Sequence, residues 1–420
     1  MDALTIPRLR ARLRSPALAR RLAAEALRDG PVGQEARERL GRSDVARPQG
    51  ILLWVHAPLG TDPLALLSLQ DLLEQELDEV HILLTTDALP EAVTGSATGT
   101  MISQHPPLEA DRPVQRFLDH WSPDVSIWLG TVDSPILLGR TAGRNIPLFL
   151  QDAVAPDAVG GRARNVQRTM FGLFDRILAL DSRHSDGIRG LGAIPARIEV
   201  TGPLERLHKP PHSLEAEREA LAAQLHARPV WLAACPSEPE VGIVLRAHAQ
   251  ALRTAHRLLL ILVPVADHIG PAMAEELVSH GWSVARREAG EDPENNTDVF
   301  IVDCLEELGL CYRLAPVTYL GGTIAGGDVQ DPMGPATLGS AIIAGPVGGN
   351  EEPALAKLAA ADACRRISGA KDLGPAVIDL LSPEAAATLS LHAWDTASEG
   401  VDVLNRLTHH VLVALRGRGL

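Results

Sequence analysis

The sequence of 420 residues lacks the features of several large functional classes. Its four cysteines show no Cys-x-x-Cys spacing, which argues against a zinc knuckle or a disulfide framework and favours a reducing compartment. No apolar run reaches the roughly 18 to 20 residues that a membrane-spanning helix needs. No uninterrupted apolar stretch follows the basic residues near the start, so a cleaved signal peptide is not predicted. We therefore expect a cytoplasmic protein.

Common catalytic and nucleotide-binding motifs are also absent. The chain has no Gly-x-Gly-x-x-Gly, no glycine loop ending in Gly-Lys-Ser/Thr, no His-Glu-x-x-His and no Asp-x-Asp. The pair His409 and His410 lies in a predicted helix, where histidines are usually not ligands, so no metal site is expected. A net charge of −14 argues against a nucleic-acid partner, which would require a basic face.

The first 30 residues differ from the rest of the chain in charge. Seven arginines stand against three acidic residues, which gives this stretch a net charge of +4. Leucines recur within it at loosely helical spacing, so residues 1–45 are predicted to form a basic helical segment. This segment either makes peripheral contact with an anionic membrane surface or packs on the body of the protein through its leucines.

Short apolar runs alternate with helical stretches along the chain, which is typical of a parallel sheet covered by helices on both faces. The pattern predicts an α/β fold with two Rossmann-like domains, residues 46–205 and 229–420, joined by a linker at 206–228. A final helix from about residue 383 to 416 is expected to return to the first domain. Predicted strands are 51–56, 79–85, 125–129, 147–151, 176–179, 198–201, 230–234, 258–263, 282–285, 299–302, 317–320 and 341–344.

Two segments follow predicted strands and carry polar residues or glycines, LWVHAPLGTDPLALLSL at 53–69 and YLGGTIAGGDVQDPMGPATLGSAIIAGP at 319–346. In the first segment, Asp62 either acts as a catalytic residue at the sheet edge or caps the helix predicted to begin near Pro63. Paired glycines at 321–322 and 326–327 in the second either let backbone amides approach a phosphate or form a tight turn.

These segments resemble the Kdo transferase family, the lipid A glycosyltransferases that move 3-deoxy-D-manno-octulosonate (Kdo) from CMP-Kdo. Framework stretches support the resemblance over about residues 37–415, among them RFLDHWSPD at 116–124, ARIEVTGPL at 196–204 and ELGLCYRLAPVTYLGG at 307–322. The resemblance implies the GT-B type of fold, with two Rossmann-like domains facing across a cleft. It also implies an inverting transfer without metal or other cofactor. Its partners would be CMP-Kdo and a lipid A precursor, at the cytoplasmic face of the inner membrane.

The resemblance assigns catalytic positions in the first domain, and each holds a different residue from the family's. Asp62 stands where the family has a glutamate that deprotonates the acceptor hydroxyl, so the carboxylate is kept but is shorter by one methylene. Gly130 stands where a glutamate assists the transition state. Glu205 replaces a lysine that stabilises developing charge, so the sign of the charge is reversed.

The donor-binding positions implied by the resemblance lie in the second domain, and several of them have changed as well. They are Pro264 and Val265, where the family has Pro-Arg-His; Glu306, Glu307 and Leu308, where it has Gly-Glu-Leu; and Asp331, Pro332, Met333 and Gly334, where it has Asn-x-Leu-Glu. An arginine and a glutamate that each contact the nucleotide contribute roughly 2 to 3 kcal/mol apiece as charge-assisted hydrogen bonds. Their loss predicts about a thousandfold weaker donor binding.

Three functions agree with this combination of kept framework and changed site. The chain is a working Kdo transferase, a catalytically degenerate paralogue that acts as a binding or interaction protein, or a transferase that uses another nucleotide sugar. A second gene with the intact motifs in the same genome would favour the degenerate paralogue.

Overall fold

The computed structural model describes residues 17–87, 101–157, 160–225 and 228–419. They form two compact units: the described residues up to Leu207 together with those from Gly400 onward, and residues His208–Glu399. Each unit contains one seven-stranded sheet. No helix among the described ranges is long and apolar enough to cross a membrane.

The first unit is built on a parallel sheet with the strand order β3-β2-β1-β4-β5-β6-β7. The central strands are almost entirely apolar and buried, because helices cover both faces of the sheet. The strands are β1 (Ile51–His56), β2 (Val80–Thr85), β3 (Met101–Gln104), β4 (Val125–Leu129), β5 (Leu148–Ala153), β6 (Arg176–Ala179) and β7 (Ile198–Val200).

Helices connect these strands on both sides of the sheet. Residues 17–25 are also helical, and Leu22 and Ala26 pack there against Ala36 and Leu40. The first 16 residues of the predicted basic segment lie outside the described residues. The labelled helices are α1 (Pro31–Arg39), α2 (Pro63–Leu73), α3 (Asp111–Trp121), α4 (Pro135–Ala142), α5 (Gly161–Phe171) and α6 (Ser182–Gly190).

The second unit repeats the plan with the strand order β10-β11-β9-β8-β12-β13-β14, again all parallel. Its strands are β8 (Val230–Ala234), β9 (Leu259–Val263), β10 (Val284–Arg286), β11 (Val299–Ile301), β12 (Val317–Leu320), β13 (Ala341–Ala344) and β14 (Cys364–Arg366). Its helices are α7 (Glu215–Gln224), α8 (Glu238–Leu252), α9 (Gly270–Ser279), α10 (Leu308–Leu314), α11 (Met333–Thr337), α12 (Glu352–Ala360) and α13 (Leu373–Leu380).

The last helix, α14 (Pro383–Arg416), contributes to both units. Its early alanines at 386, 393 and 397 are buried in the cores of the second unit. Its later side chains, Leu404, Leu407, Val411 and Leu415, are fully buried in a core of the first unit. The helix therefore passes from one unit to the other within a single element.

The predicted α/β class with two sheets is confirmed. All twelve predicted strands are present, with bounds that differ by at most two residues. Two strands were missed, β3 and β14. Both are short edge strands with polar residues, MISQ and CRR, so neither shows the apolar run that marks a buried strand.

Candidate functional site

The predicted site residues follow the carboxyl ends of parallel strands, the edge where α/β sheets usually bind ligands. In the first unit, Asp62 comes after β1, Gly130 directly after β4 and Glu205 after β7. In the second unit, the candidate positions follow β9, β11 and β12. Each unit therefore brings its own predicted residues to one edge of its sheet.

Asp62 has an exposed side chain and forms the N-cap of α2. Its Oδ1 accepts a hydrogen bond from the backbone N–H of Leu64 at 3.0 Å. This cap satisfies one of the unpaired N–H groups at the start of the helix. A carboxylate that caps through one oxygen still presents its other oxygen to solvent, so the predicted role as a base stays a prediction.

Gly130 lies beside the end of β5. Its N–H donates to Gln151 O at 3.0 Å, and its carbonyl accepts from Val154 N at 3.3 Å. A Cβ at Gly130 would find no heavy atom within 4 Å among the described residues other than its chain neighbours, and φ is +80°. The described residues therefore leave this position unfilled.

Asp152 was not among the predicted site residues, yet its environment is unusual. It has a left-handed backbone, with φ at +53°, where the pairing of β5 with β6 becomes irregular. Its Oδ1 accepts from Leu204 N at 2.7 Å and from Gln151 Nε2 at 2.9 Å. Burial first, and then the nearby charge of Glu205, raises the pKa of the Asp152 carboxyl.

His56 ends β1 in a buried aromatic environment. Its Nδ1 lies 2.9 Å from Thr85 Oγ1, which also accepts from Trp54 Nε1 at 2.9 Å, and its ring packs edge-on against Trp128. Nε2 has no hydrogen-bond partner among the described residues. Burial lowers the pKa of His56 to about 4, so the ring is neutral near pH 7.

The positions after β9 and β11 carry no cation among the predicted residues. Pro264 is buried, whereas Val265 is exposed. Glu306 is exposed, but Glu307 accepts two hydrogen bonds from Arg287, from Nε at 2.9 Å and from the terminal nitrogen at 3.1 Å. The Glu307 carboxylate thus already has a bidentate internal partner.

The segment after β12 leads into α11. Asp331 Oδ1 accepts from Met333 N at 2.9 Å, and His208 Nδ1 lies 3.7 Å from Asp331 Oδ2. Pro332 and Met333 are buried. A Cβ at Gly334 would lie 3.2 Å from Pro211 Cγ, a close contact, and 3.4 Å from Tyr312 Cε2, an ordinary van der Waals contact.

The glycine-rich loop after β12 is organised around a carboxylate that sequence reasoning missed. Glu240 on α8 is wholly buried, and four backbone amides donate to it. Oε1 accepts from Ile324 N at 2.7 Å and Ala325 N at 2.9 Å, and Oε2 accepts from Gly322 N at 2.6 Å and Ser237 N at 3.0 Å. Three loop amides are therefore directed at an internal carboxylate.

The described residues contain no group of three or more histidine, cysteine or acidic side chains that could hold a metal ion. The cysteines are free, and burial raises the pKa of the Cys235 thiol to about 12. A thiol in that state is a poor nucleophile near neutral pH.

Residues 34–206 match the family described as 3-deoxy-D-manno-octulosonic-acid transferase (kdotransferase). A 3-deoxy-D-manno-octulosonic acid transferase from Bordetella pertussis is 29% identical over 380 residues, which cover 86% of this chain and 88% of the relative. A probable mitochondrial enzyme of the same name from Arabidopsis thaliana is 27% identical over 321 residues, 73% of this chain and 72% of the relative.

Similarity to solved structures is weaker. The C-terminal CMP-Kdo binding domain of WaaA from Acinetobacter baumannii matches 44% of this chain and 98% of its own length, at 24% identity and a TM-score of 0.40.

Proposed function

Because this chain is a relative of the Kdo transferases, we propose that it is a glycosyltransferase that transfers Kdo from CMP-Kdo to a lipid A precursor in lipopolysaccharide biosynthesis. The observation that carries the proposal is the extent of the similarity. The relative from Bordetella pertussis is named for Kdo transfer and matches 86% of this chain, so the similarity includes residues of both units.

The proposed reaction is an inverting displacement in which Asp62 is the base. The acceptor hydroxyl gives its proton to the Asp62 carboxylate as its oxygen bonds to the anomeric carbon, and CMP leaves with the electron pair of the broken bond. An exposed carboxylate at a sheet edge is accessible to such a hydroxyl. No metal or other cofactor takes part in the proposed reaction.

The donor is proposed to be CMP-Kdo, or another nucleotide sugar, bound at the edge formed by the loops after β9, β11 and β12. We propose a cytoplasmic location, with peripheral contact at the inner membrane through the basic N-terminal segment. Charge attraction between its arginines and anionic lipid supports this contact.

A second candidate function is binding without turnover. Two features of the second unit favour it: a Cβ at Gly334 would be in close contact with Pro211, and three loop amides already have a carboxylate partner. Both features change what a nucleotide would meet at this edge. A degenerate paralogue of this kind would act as an interaction protein.

Isothermal titration of the intact protein with CMP tests the donor site without an acceptor. Micromolar binding would support a retained donor site, whereas no binding at millimolar CMP would remove the ancestral donor. A second assay follows CMP release from CMP-Kdo in the presence of lipid A precursor, with the product identified by mass spectrometry. Turnover with a Kdo-bearing product supports the transferase, and CMP binding without turnover supports the second candidate.

A further inference from the structure

We propose that Asp152 is a second catalytic carboxylate of the first unit, which stabilises positive charge on the sugar during transfer. The inference rests on the proposed transferase function. It stands on the backbone conformation of Asp152, on the two hydrogen bonds that fix its side chain and on the Cβ position of Gly130, which the described residues leave unfilled.

The backbone at Asp152 is left-handed, a conformation that few residues other than glycine, asparagine and aspartate adopt. Its φ of +53° coincides with the register shift between Leu150 and Ala153 in the pairing of β5 with β6. Irregularities of this kind in strand pairing often direct a side chain next to an active site. The left-handed backbone and the register shift together set the direction of the Asp152 side chain.

The side chain of Asp152 is fixed in position by its neighbours. Leu204 N and Gln151 Nε2 both donate to the same oxygen, Oδ1. The side chain is only partly buried, so it is not sealed from a ligand. Gln151 itself is wholly buried, and its Oε1 has no hydrogen-bond partner among the described residues.

The location of Asp152 suits a role in the proposed reaction. Strands β1, β4 and β5 are consecutive in the sheet. Asp62 follows β1, Gly130 follows β4 and Asp152 lies near the end of β5, so the three residues are at the same edge of the sheet. The N–H of Gly130 donates to Gln151 O, immediately before Asp152. Among the described residues, no heavy atom beyond the chain neighbours lies within 4 Å of the Cβ position at Gly130, so this position beside the strand end is unfilled.

Glycosyl transfer passes through a transition state that resembles an oxocarbenium ion. In the proposed step, the acceptor oxygen bonds to the anomeric carbon, its proton goes to Asp62, and CMP departs with the electron pair of the broken bond. Asp152 exchanges no proton in this step. Its negative charge, held in place before the reaction, is attracted most strongly when the sugar is most positive.

This role requires the ionised form of Asp152. The groups that act on it are the neutral Gln151 amide, the Leu204 N–H and the Glu205 carboxylate. Burial and Glu205 raise its pKa, so on acidification Asp152 is protonated at a higher pH than an ordinary aspartate. The wild-type rate should therefore begin to fall at a higher pH than the residual rate of a variant without this carboxylate.

The test is Asp152→Asn in the full chain, with Asp133→Asn as the matched control. Asparagine keeps an Oδ1 that accepts from Leu204 N and Gln151 Nε2, so the local structure should persist. Asp133 is exposed, and it accepts a hydrogen bond from Ser134 Oγ at 3.2 Å. The expected result is a loss of about 100-fold or more in kcat for Asp152→Asn, with KM nearly unchanged, and less than a threefold change for the control.

A second variant, Asp152→Gly, removes the carboxylate while suiting the left-handed backbone, in case asparagine does not fold there. Both variants should lose activity, and the acidic fall in rate should begin at a lower pH in each. Activity within threefold of wild type in either folded variant overturns the assignment of Asp152 and leaves the proposed function unaffected. A wild-type protein that releases no CMP from CMP-Kdo overturns the proposed function, and the assignment with it.

Discussion

Replacing Glu240 by glutamine should strongly destabilise the second unit. The carboxylate accepts two amide hydrogen bonds on each oxygen, from Ile324 and Ala325 on one and from Gly322 and Ser237 on the other. Glutamine keeps one oxygen and places an NH2 group where the other was. In either orientation, two backbone N–H donors then face another donor inside the protein.

The size of the effect follows from those two lost bonds. A hydrogen bond to a charged group contributes about 1.5 to 3 kcal/mol, so two of them amount to roughly 3 to 6 kcal/mol. For a unit of this size, 1 kcal/mol shifts Tm by about 2 to 4 °C, which predicts a fall of roughly 6 to 24 °C. The neighbouring Glu238 is exposed, so Glu238→Gln should change stability by less than about 0.5 kcal/mol.

Thermal unfolding of both variants gives the first measurement, and hydrogen exchange at the loop amides gives the second. In Glu240→Gln, the amides of Gly322, Ile324 and Ala325 should exchange faster than in Glu238→Gln. In Glu240→Ala, acetate should raise Tm more than it does in wild type, because the vacated amides can bind a small carboxylate. Equal Tm values and equal exchange rates for the two glutamine variants would refute the reasoning.

Three further changes test other parts of the structure. Asp62→Asn should abolish transfer and leave Tm nearly unchanged, since asparagine caps a helix as well as aspartate does; an equal rate would contradict its role as base. The pKa of His56 is about 6.5 in the unfolded chain but about 4 in the folded protein, so the free energy of unfolding falls as the pH is lowered between these values. His56→Phe should therefore flatten the dependence of Tm on pH in this range. Gly321→Ala should be far more destabilising than Gly326→Ala, because a Cβ at Gly321 lies 2.1 Å from Cys235 O. Gly326→Ala should cost only about 1 to 2 kcal/mol, for the left-handed backbone at that residue. Similar Tm values for the two variants would contradict this.

Much of the fold was predictable because its strands are buried on both faces. The strand Ile51–His56 was predicted with its observed bounds, since a short apolar run between polar segments is the pattern that such burial requires. The edge strands Met101–Gln104 and Cys364–Arg366 contain polar residues and lack such an apolar run, so the sequence pattern does not reveal them. Because Asp62 lies between a strand and a proline, capping of the following helix is one of the two roles predicted for it, and the structure shows this cap at α2.

The candidate site was less predictable, because its main features depend on contacts between distant parts of the chain. The spacing of Ser237 and Glu240 before a helix is a visible capping signal. That the same carboxylate also binds amides some 80 residues later depends on which strands become neighbours, here β8 and β12. The left-handed backbone of Asp152 likewise has no signature in the sequence.

The final helix has a consequence for how the two units can be inherited. The part of α14 that begins at Gly400 completes the core of the first unit but is encoded after the whole of the second. A single recombination event between the units would separate Leu404, Leu407, Val411 and Leu415 from the sheet that they cover. Chimeras with a relative should therefore fold only when two junctions are used, one near residue 207 and one near residue 400, so the second unit is exchanged as a cassette.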